Sequence, residues 1–172
     1  HVSVLDLLSL LLLESSNEAA VAITKPLGEN QFIKLMNTKA NAVGMRNSSF
    51  ADTSGVLSAD ISTAEDLFNL AKYLYYNRSF VLRMSIGEEN RAAYGPSRFR
   101  DLQNLNSIPE VAGMVGGKVG VSSSAGDSML GVFEVEIDGR KRPIAVIVLG
   151  ADDAKRGIKT LLGYIKHNFS SE

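Results

Sequence analysis

Three residues of this 172-residue chain join a reactive side chain to a local pattern that sets it apart. Ser15 and Asn17 lie in Ser15-Ser16-Asn17, a polar break between the apolar run ending at Leu13 and the helix-forming stretch Glu18-Ala19-Ala20-Val21-Ala22-Ile23. Lys118 is bracketed by glycines in Gly116-Gly117-Lys118-Val119-Gly120-Val121. A serine hydroxyl donates and accepts at once, an asparagine amide offers one acceptor and two donors, and a lysine ammonium brings three donors and a positive charge. Such groups can pass a proton, hold an amide and attract an anion, and the charge counts for more in a partly dry cleft than in water. The same residues have plainer uses: a helix break with an N-cap for Ser15 and Asn17, and a solvated strand-end lysine for Lys118.

Other chemistries have little to work with. Cysteine is absent, so disulfides, thiolate metal sites and a cysteine nucleophile are excluded. His1 and His167 are the only histidines, one at the terminus and one in the last helical segment, which leaves almost nothing for a Ser-His-Asp triad or a histidine metal site; no metal and no cofactor are expected. Glu88-Glu89 and Asp152-Asp153 read as solvated charge pairs. With 18 basic and 19 acidic residues spread along the chain, no electrostatic footprint for a nucleic acid exists.

The elements that must position these residues can be read from periodicity. Val4 to Leu13 is too short to span a membrane, is interrupted by Asp6 and closes at Glu14; Ser3 with Asp6 starts it as a buried helix. A second helix follows and ends at Pro26 and Gly28. Asn30 is placed to cap a third, with Phe32, Ile33, Leu35, Met36, Ala40 and Val43 at helical spacing and Gly44 as its stop. Arg46 to Asp60 reads as an ordered loop. Ser62 with Glu65 predicts a capping box for a helix ending near Asn77, and Arg78 to Gly113 reads as short irregular elements. Period-two patterning then predicts strands around Lys118 to Val121, Leu130 to Ile137 and Pro143 to Leu149. Asp138-Gly139 marks a tight turn that Arg140-Lys141-Arg142 lengthens, and a helix closes the chain from Asp152 to Asn168. The fold class is α+β: a helical cluster (about 3–113), then a three-stranded antiparallel meander and a C-terminal helix (about 114–170), in a single incomplete domain over 1–172.

In this order, Leu11-Leu12-Leu13-Glu14-Ser15-Ser16-Asn17-Glu18-Ala19-Ala20 and Gly116-Gly117-Lys118-Val119-Gly120-Val121, followed by Ser124-Ala125-Gly126 and Leu130, resemble the Ser-x-Asn and Lys-Thr-Gly motifs of the serine-type D-Ala-D-Ala carboxypeptidases. These are the low-molecular-weight penicillin-binding proteins of the β-lactamase/transpeptidase-like superfamily. Phe32-x-x-Leu-Met-Asn37, Ala40, Gly44-Met45, Phe50, Gly55 and Ser62-Thr63-Ala64-x-Asp66-Leu67 are similar to the segments between the two motifs. The resemblance implies acyl transfer, with an acyl-enzyme formed on a serine and freed by water. It makes Ser15 a proton relay, Asn17 a holder of both the motif lysine and the substrate amide, and Lys118 the cation for a substrate or β-lactam carboxylate. Gly120 would admit the ligand backbone, and Val121 would lend its backbone N–H to the oxyanion hole. Val119 departs from the pattern: it keeps the shape of threonine without the hydroxyl.

The family's nucleophile motif, Ser-x-x-Lys, is not found in the sequence. No serine has lysine three positions on; Ser97 comes nearest with Arg100, which stays protonated and cannot be a base. By the resemblance that motif precedes Ser-x-Asn, so it falls before His1. The parent enzyme is then expected to trim peptidoglycan stem peptides ending in D-Ala-D-Ala, outside the cytoplasmic membrane, and to bind β-lactam antibiotics. The chain alone is expected to be inactive. A non-catalytic muropeptide-binding module is the alternative, as is a β-lactamase of the same superfamily, whose deacylating glutamate motif is not evident between Ser15 and Lys118. The family's sheet has five strands, so two are expected to be missing here, and a second chain or self-association to cover the exposed edge. A fluorescent penicillin should leave the 172-residue chain unlabelled in a denaturing gel; covalent labelling would contradict this reading of its serines.

Overall fold

The structure is a computed structural model that describes residues 2–88, 95 and 97–169; His1 and Glu89 of the sequence reading lie outside them. Helix α1 (Val4–Leu13) opens with the expected box: Ser3 Oγ accepts from the Asp6 N–H at 3.1 Å while Asp6 receives the Ser3 N–H at 3.3 Å. Asp6 is buried and also takes the Arg98 N–H and the Ser97 hydroxyl, each at 3.2 Å. Helix α2 (Asn17–Thr24) and helix α3 (Glu29–Ala42) follow. The residue before α3 is Gly28 at φ 79°, with no side-chain cap, so Asn30 is not the cap expected of it. Gly44 at φ 91° stops the helix as expected.

The loop after α3 is fastened by paired amides and buried carboxylates. Asn37 exchanges two hydrogen bonds with the Phe50 backbone, at 2.7 and 2.9 Å, and Asp66 accepts from the Asn47 N–H and the Ser48 hydroxyl, both at 2.7 Å. Asp66 opens helix α4 (Ala64–Asn77), whose cap is Thr63, accepting from the Asp66 N–H at 3.2 Å. The expected Ser62–Glu65 box is therefore shifted by one residue. Ser62 instead bonds Ser48 across the loop at 2.8 Å, which frees the adjacent hydroxyl for the helix end. Within the stretch read as irregular, a seven-residue helix α5 (Ser79–Ser85) forms.

Strands β1 (Met114–Ser122), β2 (Gly126–Ile137) and β3 (Arg140–Ala151) make an antiparallel sheet in the order β1-β2-β3. All three run longer than expected. Ile137 pairs directly with Arg140, and Asp138 and Gly139 take φ values of 51° and 69°, so the hairpin loop has two residues. Arg140-Lys141-Arg142 belongs to β3 and lengthens no loop.

Both faces of the sheet are covered. Met129, Phe133, Val135 and Val146 pack on Ala154, Ile158 and Leu162 of helix α6 (Ala154–Phe169). On the opposite face Leu130, Val132 and Ala145 pack on Ala71 and Leu82 of α4 and α5. This double burial gives β2 its nearly continuous apolar run in place of strict alternation. Asp152-Asp153 also does more than face water: Asp153 accepts from the Arg156 N–H at 2.9 Å at the start of α6. At Gly116 a Cβ would lie 2.5 Å from the Leu82 Cβ, so only glycine lets α5 lie this close to β1. That approach brings α5 to the strand carrying Lys118.

Candidate active site

Ser15 follows α1 and adopts φ 56°, an uncommon backbone for a residue with a side chain. Its neighbour supplies the cap of α2: Ser16 Oγ accepts from the Ala19 N–H at 3.1 Å and meets Glu18 Oε2 at 3.0 Å. The N-cap use is thus met by Ser16, which leaves the Ser15 hydroxyl to point elsewhere. It accepts from Lys118 Nζ at 2.7 Å, across 103 residues of sequence.

Lys118 projects from the middle of β1, and its ammonium also donates to the Val119 carbonyl at 2.6 Å. Among the described residues no carboxylate pairs with it. Burial therefore acts unopposed and holds its pKa below the ordinary lysine value. Its partial burial and its contact with Ser15 set it apart from a fully solvated strand-end lysine. Beside it a hollow of about 320 Å³ opens between α4, α5 and β1, lined by Leu12, Leu70, Leu82, Lys118, Val119 and Gly120 among others. Among the described residues nothing lies within 4 Å of where a Cβ on Gly120 would sit, so their packing does not call for glycine there.

The edge of β1 has a further property. In an antiparallel pair, alternate residues turn their N–H groups toward the partner strand or away from it. Gly117 and Val119 turn away from β2 and are capped, Gly117 by Ser85 Oγ at 2.9 Å and Val119 by Asn106 Oδ1 at 3.0 Å. Val121, opposite Asp127, is next in the same alternation, so its N–H also points off the edge. No side chain among the described residues caps it, and its own side chain is 78% exposed.

Of the residues singled out in the sequence, Ser15, Lys118 and Val119 meet, and Gly120 and Val121 continue the same strand edge. Asn17 is exposed and, among the described residues, makes no side-chain hydrogen bond, so it is not drawn to Lys118. Ser85 and Asn106 were missed. Both lie in the stretch without periodicity, where a buried polar residue leaves no pattern to find.

Residues 1–153 match the family model described as D-alanyl-D-alanine carboxypeptidase. The chain belongs to this family. Among curated members it is 43% identical over 86 residues to the D-alanyl-D-alanine endopeptidase of Haemophilus influenzae, covering 49% of this chain and 29% of that one. It is 30% identical over 158 residues to the D-alanyl-D-alanine endopeptidase of Escherichia coli K12, covering 88% of this chain and 49% of that one. The chain thus spans less than half the length of these two relatives. Among solved structures, penicillin-binding protein D2 from Listeria monocytogenes in its ampicillin-bound form superposes with a TM-score of 0.77 at 30% identity, over 96% of this chain and 67% of that one. The D-alanyl-D-alanine carboxypeptidase DacD from Francisella tularensis gives a TM-score of 0.75 at 25% identity, over 95% and 52%. The α+β fold of this D-alanyl-D-alanine carboxypeptidase family is therefore the fold of this chain.

The depressed Lys118 value has a consequence for stability. Between the folded and unfolded values the unfolded chain binds more protons, so stability rises with pH through that window and is lost as pH falls through the folded value. Urea unfolding at a series of alkaline pH values should show this rise in the wild type and its loss in Lys118→Met. Parallel profiles would contradict the desolvation of Lys118.

Proposed function

We propose that this chain contributes the Ser-x-Asn and Lys-x-Gly part of a serine D-Ala-D-Ala carboxypeptidase, with residues 1–172 forming one incomplete domain of it. The observation that carries this reading is the 2.7 Å contact between Lys118 Nζ and Ser15 Oγ at a half-buried cation. In the reaction a serine hydroxyl from a Ser-x-x-Lys segment attacks the carbonyl between two D-alanines, the terminal D-alanine leaves as its amine, and water frees the acyl-enzyme.

Each residue has a role in that sequence. Because the ammonium of Lys118 donates to Ser15, the oxygen of Ser15 is occupied as an acceptor and its own proton is free for the leaving amine. The charge on Lys118, which no carboxylate among the described residues matches, attracts the carboxylate of a stem peptide or a β-lactam. The outward N–H of Val121 serves the oxyanion, and the open space at Gly120 admits the ligand backbone. Asn17 is assigned to the substrate amide, an interaction that its exposed position leaves for the bound state. Val119 offers the carboxylate no hydroxyl.

A peptidoglycan substrate places the enzyme in the periplasm or at the outer face of the cytoplasmic membrane. Among the described residues no helix is long and apolar enough to cross a membrane. The outer edge of β3, unpaired among the described residues, is a place for a second chain or another copy to join the sheet. A second reading, cleavage within a cross-linked peptide, is favoured by the two curated relatives named as endopeptidases. Release of D-alanine from a soluble pentapeptide against cleavage of a cross-linked muropeptide separates the two.

In a polypeptide joining these residues to a Ser-x-x-Lys segment, Lys118→Ala should slow acylation by penicillin by about two orders of magnitude. Val119→Thr should quicken it by roughly 5- to 150-fold, the worth of one charge-assisted hydrogen bond of about 1–3 kcal/mol. Stopped-flow acylation rates read both. An unchanged rate for Lys118→Ala would remove Lys118 from the site, and an unchanged rate for Val119→Thr would discard the hydroxyl argument.

A further inference from the structure

We propose that Asn106 is a positioning residue that fastens the last turn of α1 to β1 and so keeps Ser15 within hydrogen-bonding distance of Lys118. Its catalytic meaning rests on the reading of Ser15 and Lys118 given above; its geometry does not.

Asn106 is fully buried, and its side chain joins three elements. Nδ2 donates to the Leu12 carbonyl in α1 at 2.7 Å and to the Ser85 carbonyl at the end of α5 at 2.9 Å. Oδ1 accepts from the Val119 N–H on β1 at 3.0 Å. Both donors and the acceptor are therefore in use. Aspartate would keep the acceptor and lose the donors, leucine would lose all three, and glutamine would need room for another methylene in a buried place.

The ties fall where they have most leverage. Leu12 is one helical turn before Ser15, and Val119 is bonded to Lys118. The adjoining chain acts on the same helix end: the Leu105 N–H donates to the Leu13 carbonyl at 3.0 Å, and the Gln103 N–H to Glu14 Oε1 at 2.9 Å. A helix leaves its last four carbonyls unpaired, and α1 has no basic residue in its last turn to meet them. Helix α1 packs chiefly on α2 and α5 rather than on the sheet. Beside the Ser15–Lys118 contact Asn106 bridges α1 and β1, with one hydrogen bond to each. Removing its side chain leaves the Leu12 and Ser85 carbonyls and the Val119 N–H without it, and each must find water. Val119 also carries the carbonyl that Lys118 Nζ holds, so water admitted at its N–H sits on the residue that the ammonium contacts.

A purely structural role would lower stability and no more, so the readout must be local. The titration of Lys118, followed by NMR at its Cε, is compared in the wild type, Asn106→Ala and a control, Leu162→Ala. The control weakens the packing of α6 on the far face of the sheet. Asn106→Ala should move the Lys118 titration upward, toward the ordinary lysine value, while Leu162→Ala leaves it in place. A wild-type titration in Asn106→Ala, or an equal shift in the control, overturns the inference. Should Asn106→Ala not fold, amide exchange in the wild type decides. Val119 should then be protected like the β1–β2 ladder amides, and exchange as fast as at Val121 overturns the inference. Lys118→Ala failing to slow acylation would sink the proposed function and leave this titration result untouched.

Discussion

A half-buried lysine ammonium with no carboxylate beside it among the described residues is the constraint around which the rest of this molecule is arranged. Taking a charge out of water is costly, and proteins ordinarily offset the cost with a counter-ion or let the group lose its proton. Lys118 has two neutral oxygens, Ser15 Oγ and the Val119 carbonyl, and a pKa lowered by burial. An arrangement of this kind is poorly suited to holding the fold together and well suited to receiving an anion. The positive φ of Ser15 fits the same view, because the turn spends backbone strain to aim a hydroxyl that the neighbouring cap does not need.

The fold serves this contact by bringing three unrelated stretches of chain to one strand edge. Gly116 lets α5 lie against β1, Ser85 and Asn106 occupy the N–H groups of Gly117 and Val119, and the next outward N–H, at Val121, is capped by no side chain among the described residues. Edge strands are normally blunted to prevent unwanted pairing. Here the blunting covers the first part of the edge and stops short of Val121. The α6 side of the sheet, built on Phe133 and Ile158, gives the strand a rigid backing.

Much of this was legible in the sequence because the signals were local. The Ser3–Asp6 box, the Gly44 stop, the Asp138-Gly139 turn and the glycine-bracketed Lys118 each declare themselves within a few residues. Where two hydroxyls stood side by side, local rules could not choose. Ser62 lost the cap to Thr63 because its own hydroxyl was drawn to Ser48 across the loop. Ser16, not Ser15 or Asn17, caps α2 for the complementary reason that Ser15 is drawn to Lys118. Helix α5 was hidden because seven residues without a side-chain cap carry almost no periodic signal and owe their helicity to packing on the sheet. Asn106 was hidden more deeply, since its three partners come from three elements and none is near it in sequence.

The most direct test of the account is a crystal structure of a β-lactam acyl-enzyme formed on a polypeptide that joins these residues to a Ser-x-x-Lys segment. The ligand carboxylate should lie within hydrogen-bonding distance of Lys118 Nζ, with its former β-lactam carbonyl oxygen facing the Val121 N–H. A ligand whose carboxylate is held by another cation, with Lys118 still bonded only to Ser15 and its own backbone, would contradict it.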